Sequence, residues 1–92
     1  MQRTLEILKD LDKKKIFHEP VDLNEVPTYS DVIHNPMDFS KMQSKINRME
    51  YITFSQFEAD FDLIINNCLL FNQKNSFYYK TAFKLREQVS VL

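Results

Sequence analysis

This chain of 92 residues contains no glycine, one cysteine and three prolines. Without glycine it cannot build the glycine-rich phosphate cradles of either the P-loop or the dinucleotide type. Any backbone position of positive φ then falls to asparagine or aspartate, the residues that tolerate it best, and Asn24, Asn35, Asn47, Asn72 and Asn75 are the candidates. A single cysteine, Cys68, excludes an internal disulfide and fits an intracellular setting. One cysteine and two histidines fall short of a zinc site, so no metal or cofactor is expected. No apolar run approaches the ~20 residues of a membrane span, and Met1-Gln2-Arg3-Thr4 does not begin a signal peptide. Strand alternation and internal repeats are missing as well.

The formal net charge is −1, so no overall field draws the chain to nucleic acid or to a membrane. The charges are unevenly placed. Residues 1–15 carry five basic and three acidic groups, whereas residues 16–40 carry Glu19, Asp22, Glu25, Asp31 and Asp38 and neither lysine nor arginine. A partner meeting that second stretch should be cationic; a solvated loop that happens to be acidic explains the charge pattern equally well. Lys13–Lys15, and separately Lys41, Lys45 and Arg48, have no aromatic platform in the sequence beside them. They read as helix-surface charge, and direct nucleic-acid binding is expected to be weak or missing.

Hydrophobic residues make up 43% of the chain and aromatic residues 13%, enough for a core in one domain spanning residues 1–92. Leu5, Leu8 and Leu11 recur at helical spacing, and the periodicity predicts a first helix over residues 2–14. Residues 16–37 hold all the prolines and predict a long loop, with a helical turn near Thr28–Ile33. Asp38 is placed to cap a second helix with Phe39, Met42, Ile46 and Met49 on one face. Thr53 and Gln56 have the spacing of a capping box, opening a third helix whose apolar face runs from Phe57 through Phe61, Ile64, Ile65, Cys68 and Leu69 to Phe71. Ser76 can cap a last helix carrying Tyr79, Ala82, Phe83, Leu85, Val89 and Leu92. The pattern is all-α: four long helices and one long loop, an antiparallel bundle. Because the chain starts and stops within helical pattern, it reads as a domain of a longer protein.

Asn72 stands out. It closes the longest apolar helix and precedes Gln73-Lys74-Asn75-Ser76 and the aromatic cluster Phe77-Tyr78-Tyr79. Asn72 has two readings, a left-handed helix C-cap or an amide that recognises another amide. Cys68 reads as a small buried hydrophobe or a nucleophile, but no base accompanies it, since His18 and His34 both lie in the loop. Asp60 and Asp62 read as solvated. Asn66 and Asn67 read as structural, tying the long loop or exposed to solvent.

Three stretches taken together resemble the bromodomain family. They are Ile16-Phe17-x-x-Pro20-Val21, the element Tyr29-x-x-x-Ile33-x-x-Pro36-Met37-Asp38, and the element Asn67-Cys68-x-x-Phe71-Asn72. The resemblance covers nearly the whole chain. It implies a left-handed antiparallel four-helix bundle that is not an enzyme and that binds acetylated lysine in histone tails. Asn72 would hydrogen-bond the acetyl carbonyl and Tyr29 would reach the same oxygen through a water. Ile16, Phe17, Val21, Val26, Cys68 and Phe71 would line the pocket, and Tyr78 would stand at its gate. Two positions depart from the commonest family pattern. The tryptophan-proline-phenylalanine shelf is Lys15-Ile16-Phe17 here, and the tyrosine before the asparagine is Phe71.

Within the family, the Ile16-Phe17 start and the Phe61-Asp62-Leu63-Ile64-Ile65 helix core are most similar to the BRPF-type scaffold proteins, which pair a bromodomain with PHD fingers in histone acetyltransferase complexes. That likeness implies a monomeric domain of a nuclear, chromatin-associated protein, with such a complex as a partner through the parent chain. The physics points the same way: a lining of apolar residues would reject a charged lysine and accept a neutral amide whose carbonyl is hydrogen-bonded. The alternative is a helical adaptor that takes a partner helix into an apolar groove.

Overall fold

The first helix ends earlier than its periodicity predicts, and the reason is a buried carboxylate. The computed structural model describes residues 1–90. Helix α1 runs Gln2–Leu11 and stops at Asp12. The Asp12 side chain accepts the backbone N–H of Ile16 at 3.0 Å and of Phe17 at 2.7 Å. The intervening turn closes with the N–H of Lys15 donating to the Asp12 carbonyl. Lys13 and Lys14 therefore belong to a turn rather than to a fourth turn of helix.

The loop that follows contains one helical turn, α2, Tyr29–Val32. Helix α3, Phe39–Asn47, starts at Asp38, whose side chain accepts from the Lys41 N–H. Its first amides are put to a second use: the N–H groups of Phe39 and Ser40 donate to the carbonyls of Phe17 and His18. Donors that every helix leaves without an intrahelical partner thus pin the loop to the bundle. Helix α4, Phe54–Phe71, opens with the complete Thr53–Gln56 capping box. Helix α5, Phe77–Ser90, opens with the Tyr79 N–H donating to the Ser76 hydroxyl. Leu92, assigned from sequence to the last helix, lies outside the described residues.

Among the described residues the fold is all-helical, four long helices and the short α2. Helix α4 packs along α5, α1 along α3, and α2 onto α4. Leu5, Leu8, Phe39, Met42, Phe57 and Ile65 form the deepest part of the core. Burying each of these side chains is worth about 1.5–3 kcal/mol, which offsets the ordering of a small chain.

Several assignments made from residue type are corrected. Positive φ falls on Lys15 and Met49, both at 56°, and on no asparagine. Met49 is not on the buried face of α3. It is 87% exposed, one residue past the C-cap, where the Glu50 N–H returns to the Lys45 carbonyl and the Met49 N–H to the Ile46 carbonyl. This is a Schellman closure in a position that usually takes glycine. Asp60 is not solvated. It accepts from the Lys45 ammonium at 2.7 Å and the Tyr51 hydroxyl at 2.5 Å, so Lys45 is a tether between α3 and α4 rather than a surface charge. Phe83 is 40% exposed, with Arg86 stacked over its ring.

Candidate functional site

At the end of the bundle where α4 stops, the long loop stands away from the helices and leaves a cavity of about 400 Å³. That lies within the roughly 300–1000 Å³ usual for small-molecule pockets. Each of the nine residues picked out from the sequence borders it. The loop contributes Ile16, Phe17, Val21, Val26 and Tyr29, the end of α4 contributes Cys68, Phe71 and Asn72, and α5 contributes Tyr78.

The loop wall of the cavity is held by backbone bonds. Phe17 is buried, its N–H on the Asp12 carboxylate and its carbonyl on the Phe39 N–H, and its ring packs edge-on against Phe39 at 6.5 Å. Val21 sits further out, 41% exposed. Tyr29 is buried edge-to-face against Phe71, with ring centroids 4.9 Å apart. Burial pushes the Tyr29 hydroxyl above its ordinary range, with Cys68 adding to the effect. The phenol therefore remains a neutral donor across physiological pH. Phe71, lacking a hydroxyl, brings only its ring to this wall.

Asn72 does not close α4 in the left-handed conformation. Its backbone is extended, with φ −99° and ψ 150°. Its side chain folds back instead: Nδ2 donates to the Cys68 carbonyl at 3.0 Å and lies 3.5 Å from the Cys68 sulfur. The backbone N–H of Asn72 donates to that same carbonyl at 3.2 Å. One carbonyl thus fixes both ends of the residue. The amide keeps a second N–H whose partner in the protein is a thiol sulfur, a weak acceptor.

Cys68 is buried, and its thiol donates to the Tyr78 carbonyl at 3.4 Å. Burial pushes the thiol up to about 11, slightly countered by the Asn72 hydrogen bond. It is protonated at neutral pH. No histidine borders the cavity, and His18 instead contacts the Lys9 carbonyl and the Asp12 carboxylate. A nucleophilic reading of Cys68 thus lacks both the thiolate and a base.

The lining is less purely apolar than sequence reasoning expects. Glu19, Asp22 and Glu25 stand at the lip, all exposed, and Asp38 borders the cavity from below. Asp38 is buried and its carboxylate is occupied by the Ser40 hydroxyl and the Lys41 N–H. Of the three lip carboxylates, Asp22 accepts the Asn24 N–H at 2.9 Å. Neither lysine nor arginine borders the cavity.

Sequence reasoning missed Met37 and Ile64 on the wall and Asp12 behind it. Ile64 was findable: it lies one helical turn before Cys68 and two before Asn72, on the same stripe. Asp12 was not, because an aspartate among lysines looks like surface. Asn67 does tie the loop, its side-chain amide donating to the Asn35 carbonyl at 3.0 Å.

The family model for bromodomains matches residues 1–84. The chain is 40% identical over 92 residues to a bromodomain-containing protein homolog of Drosophila melanogaster, covering 100% of this chain and 6% of that protein. It is 42% identical over 87 residues to the human bromodomain and PHD finger-containing protein 3, covering 95% of this chain and 7% of that protein. The chain therefore spans under a tenth of the length of these curated relatives. Among solved structures, a hypothetical bromodomain of Trypanosoma brucei, in complex with bromosporine, superposes with a TM-score of 0.91 at 34% identity, covering 95% of this chain and 76% of that one. A helical frame shared across this chain's length, joined to a sequence match through the loop and the end of α4, makes the chain a member of the bromodomain family.

Proposed function

We propose that the cavity holds the side chain of an acetylated lysine from a histone tail, and that Asn72 donates its second amide N–H to the acetyl carbonyl. Bromodomains are binding modules, known as acetyl-lysine readers in chromatin proteins, and this frames the reading. The observation that carries it is the state of Asn72: an amide anchored by one N–H to the Cys68 carbonyl, whose other partner is a sulfur at 3.5 Å. A carbonyl oxygen is a far better acceptor than a thiol, so an incoming amide replaces a poor contact with a good one.

The surrounding charge supports the same ligand. An unmodified ammonium would be stripped of water among Phe17, Ile64, Cys68 and Phe71, where the one buried carboxylate, Asp38, is already taken by Ser40 and Lys41, at a cost of several kcal/mol. Acetylation removes that cost. Tyr29 supplies a neutral hydroxyl that reaches the same oxygen through a bridging water. At the lip, Glu19, Asp22 and Glu25 attract the lysines and arginines on either side of the mark. One side chain in one pocket gives binding of roughly micromolar to near-millimolar strength.

The 42% identity to the human bromodomain and PHD finger-containing protein 3 supports a BRPF-type parent. On this reading the parent is a nuclear, chromatin-associated protein that meets a histone acetyltransferase complex. The test is a calorimetric titration with a histone H4 tail peptide, acetylated and unmodified. Binding to the acetylated form alone is expected; equal binding to both would sink the proposal.

A further inference from the structure

The lysines of the first turn after α1 gain from the tertiary structure the aromatic neighbour that the sequence lacks. Between the end of α1 and the outer face of α5 lies a groove of about 280 Å³, separate from the acetyl-lysine cavity. Its apolar walls are Leu11, Leu85 and Phe77, and Phe77 is 56% exposed. Lys13, Lys14 and Lys84 stand around it. None of the three has an ion-pair partner among the described residues. The groove's one carboxylate, Asp12, is 1% exposed at its side chain and already holds the amides of Ile16 and Phe17. The three ammonium groups at the rim thus outnumber the groove's one carboxylate, and they surround an apolar floor.

We propose that this groove docks an acidic peptide segment carrying an apolar anchor residue. Charge complementarity selects the partner's sign, because carboxylates flanking the anchor would meet Lys13, Lys14 and Lys84. The floor selects its character, because an apolar side chain covers Leu11 and Phe77 where a hydrated group would leave them bare. A nucleic-acid backbone satisfies the lysines and leaves that floor uncovered. The two sites of the domain thus differ in sign: the acetyl-lysine cavity has an acidic lip, and the groove a basic one. They adjoin through consecutive residues, Phe77 in the groove wall and Tyr78 in the cavity, whose rings pack edge-on at 5.6 Å.

The test is an NMR titration of the isotope-labelled domain with three probes: a short peptide of alternating glutamate and leucine, the same peptide with serine for leucine, and a duplex DNA of mixed sequence. Saturable shifts at Leu11, Phe77, Thr81 and Lys84 are expected with the leucine peptide. The double variant Lys14→Glu, Lys84→Glu should weaken it about tenfold, the combined effect of reversing two rim charges. Both lysines are exposed, and free acetyl-lysine should bind the variant as it binds the parent, which also reports an intact fold. The proposal is overturned if the leucine peptide gives no saturable shifts, if the serine peptide binds equally well, or if the DNA occupies the groove in preference to the peptide.

Discussion

The Asp12 carboxylate accepts the Phe17 backbone N–H at 2.7 Å, and that bond sets one wall of the cavity. The carboxylate is almost wholly buried and also takes the Ile16 N–H, so it replaces the helical continuation that Lys13 and Lys14 would otherwise make. The bonds fix the turn that follows α1, and Phe17 and Asn72 border the same cavity.

Replacing that carboxylate should loosen the wall before it unfolds the bundle. Asp12→Ala strands two amides, one of them buried, and a loss of about 3 kcal/mol is expected by chemical denaturation. Asp12→Asn retains one acceptor and should lose less. Acetyl-peptide affinity should fall in the same order; identical affinities for all three proteins would show that the bond does not position Phe17.

Asn72→Ala tests the recognition role directly. The residue is only half-buried and its backbone N–H bond to Cys68 survives the change, so helicity should be kept. Acetyl-peptide binding should weaken by at least roughly tenfold, the worth of one hydrogen bond left unmade in a buried site. Full binding with intact circular dichroism would assign Asn72 to capping alone.

The lip carboxylates should matter for the peptide and not for the mark. Asp22→Asn combined with Glu25→Gln is expected to weaken a basic acetylated peptide several-fold at low salt. Free acetyl-lysine should be unaffected, and the difference should shrink as salt screens the lip. An equal loss for both ligands would place the effect in the cavity rather than at the lip.

Cys68 makes stability fall at high pH. Its thiol is raised in the folded protein from an ordinary 9.0 to about 11, so the unfolded chain gives up its proton first. Stability from this group is complete below pH 9 and is lost as pH rises toward 11. Tyr29 and Tyr51, both raised by burial from 10.0, act in the same direction from about pH 10 upward. Cys68→Ala should make the fall in stability shallower, most clearly between pH 9.0 and the 10.0 where the tyrosines join; an unchanged slope there would show that the thiol does not contribute. The native thiol should also resist alkylating reagents until the protein unfolds.

Met49 holds a left-handed position at φ 56° while 87% exposed, so its side chain adds strain and almost no packing. Met49→Gly should raise stability by about 0.5 kcal/mol, the relief of left-handed strain exceeding the added freedom of the unfolded chain. A lower melting temperature for the variant would contradict that account.

The four long helices and their starts were legible in the sequence, because apolar spacing and the caps at Asp38, Thr53 and Ser76 are local signals that depend on neighbours a turn away. The cavity residues were legible through the resemblance of three separated stretches, whereas Ile64 was passed over although it shares a stripe with Cys68. The rest depended on partners distant in sequence. Asp60 looked solvated until Lys45 and Tyr51 were brought to it.

Asparagine looked like the residue for positive φ, yet the closure geometry at the ends of α1 and α3 put Lys15 and Met49 there. Residue type is only a preference, and the requirement of the closing hydrogen bonds exceeds it. The sequence by itself determined an all-helical domain with a neutral amide at the end of its longest apolar helix. Only the tertiary structure decided what faces that amide, what charge stands at each lip, and that Phe77 lies among lysines more than sixty positions earlier in the chain. Periodicity acts over a few residues, while burial and charge pairing are settled by whatever the fold brings within a few ångströms.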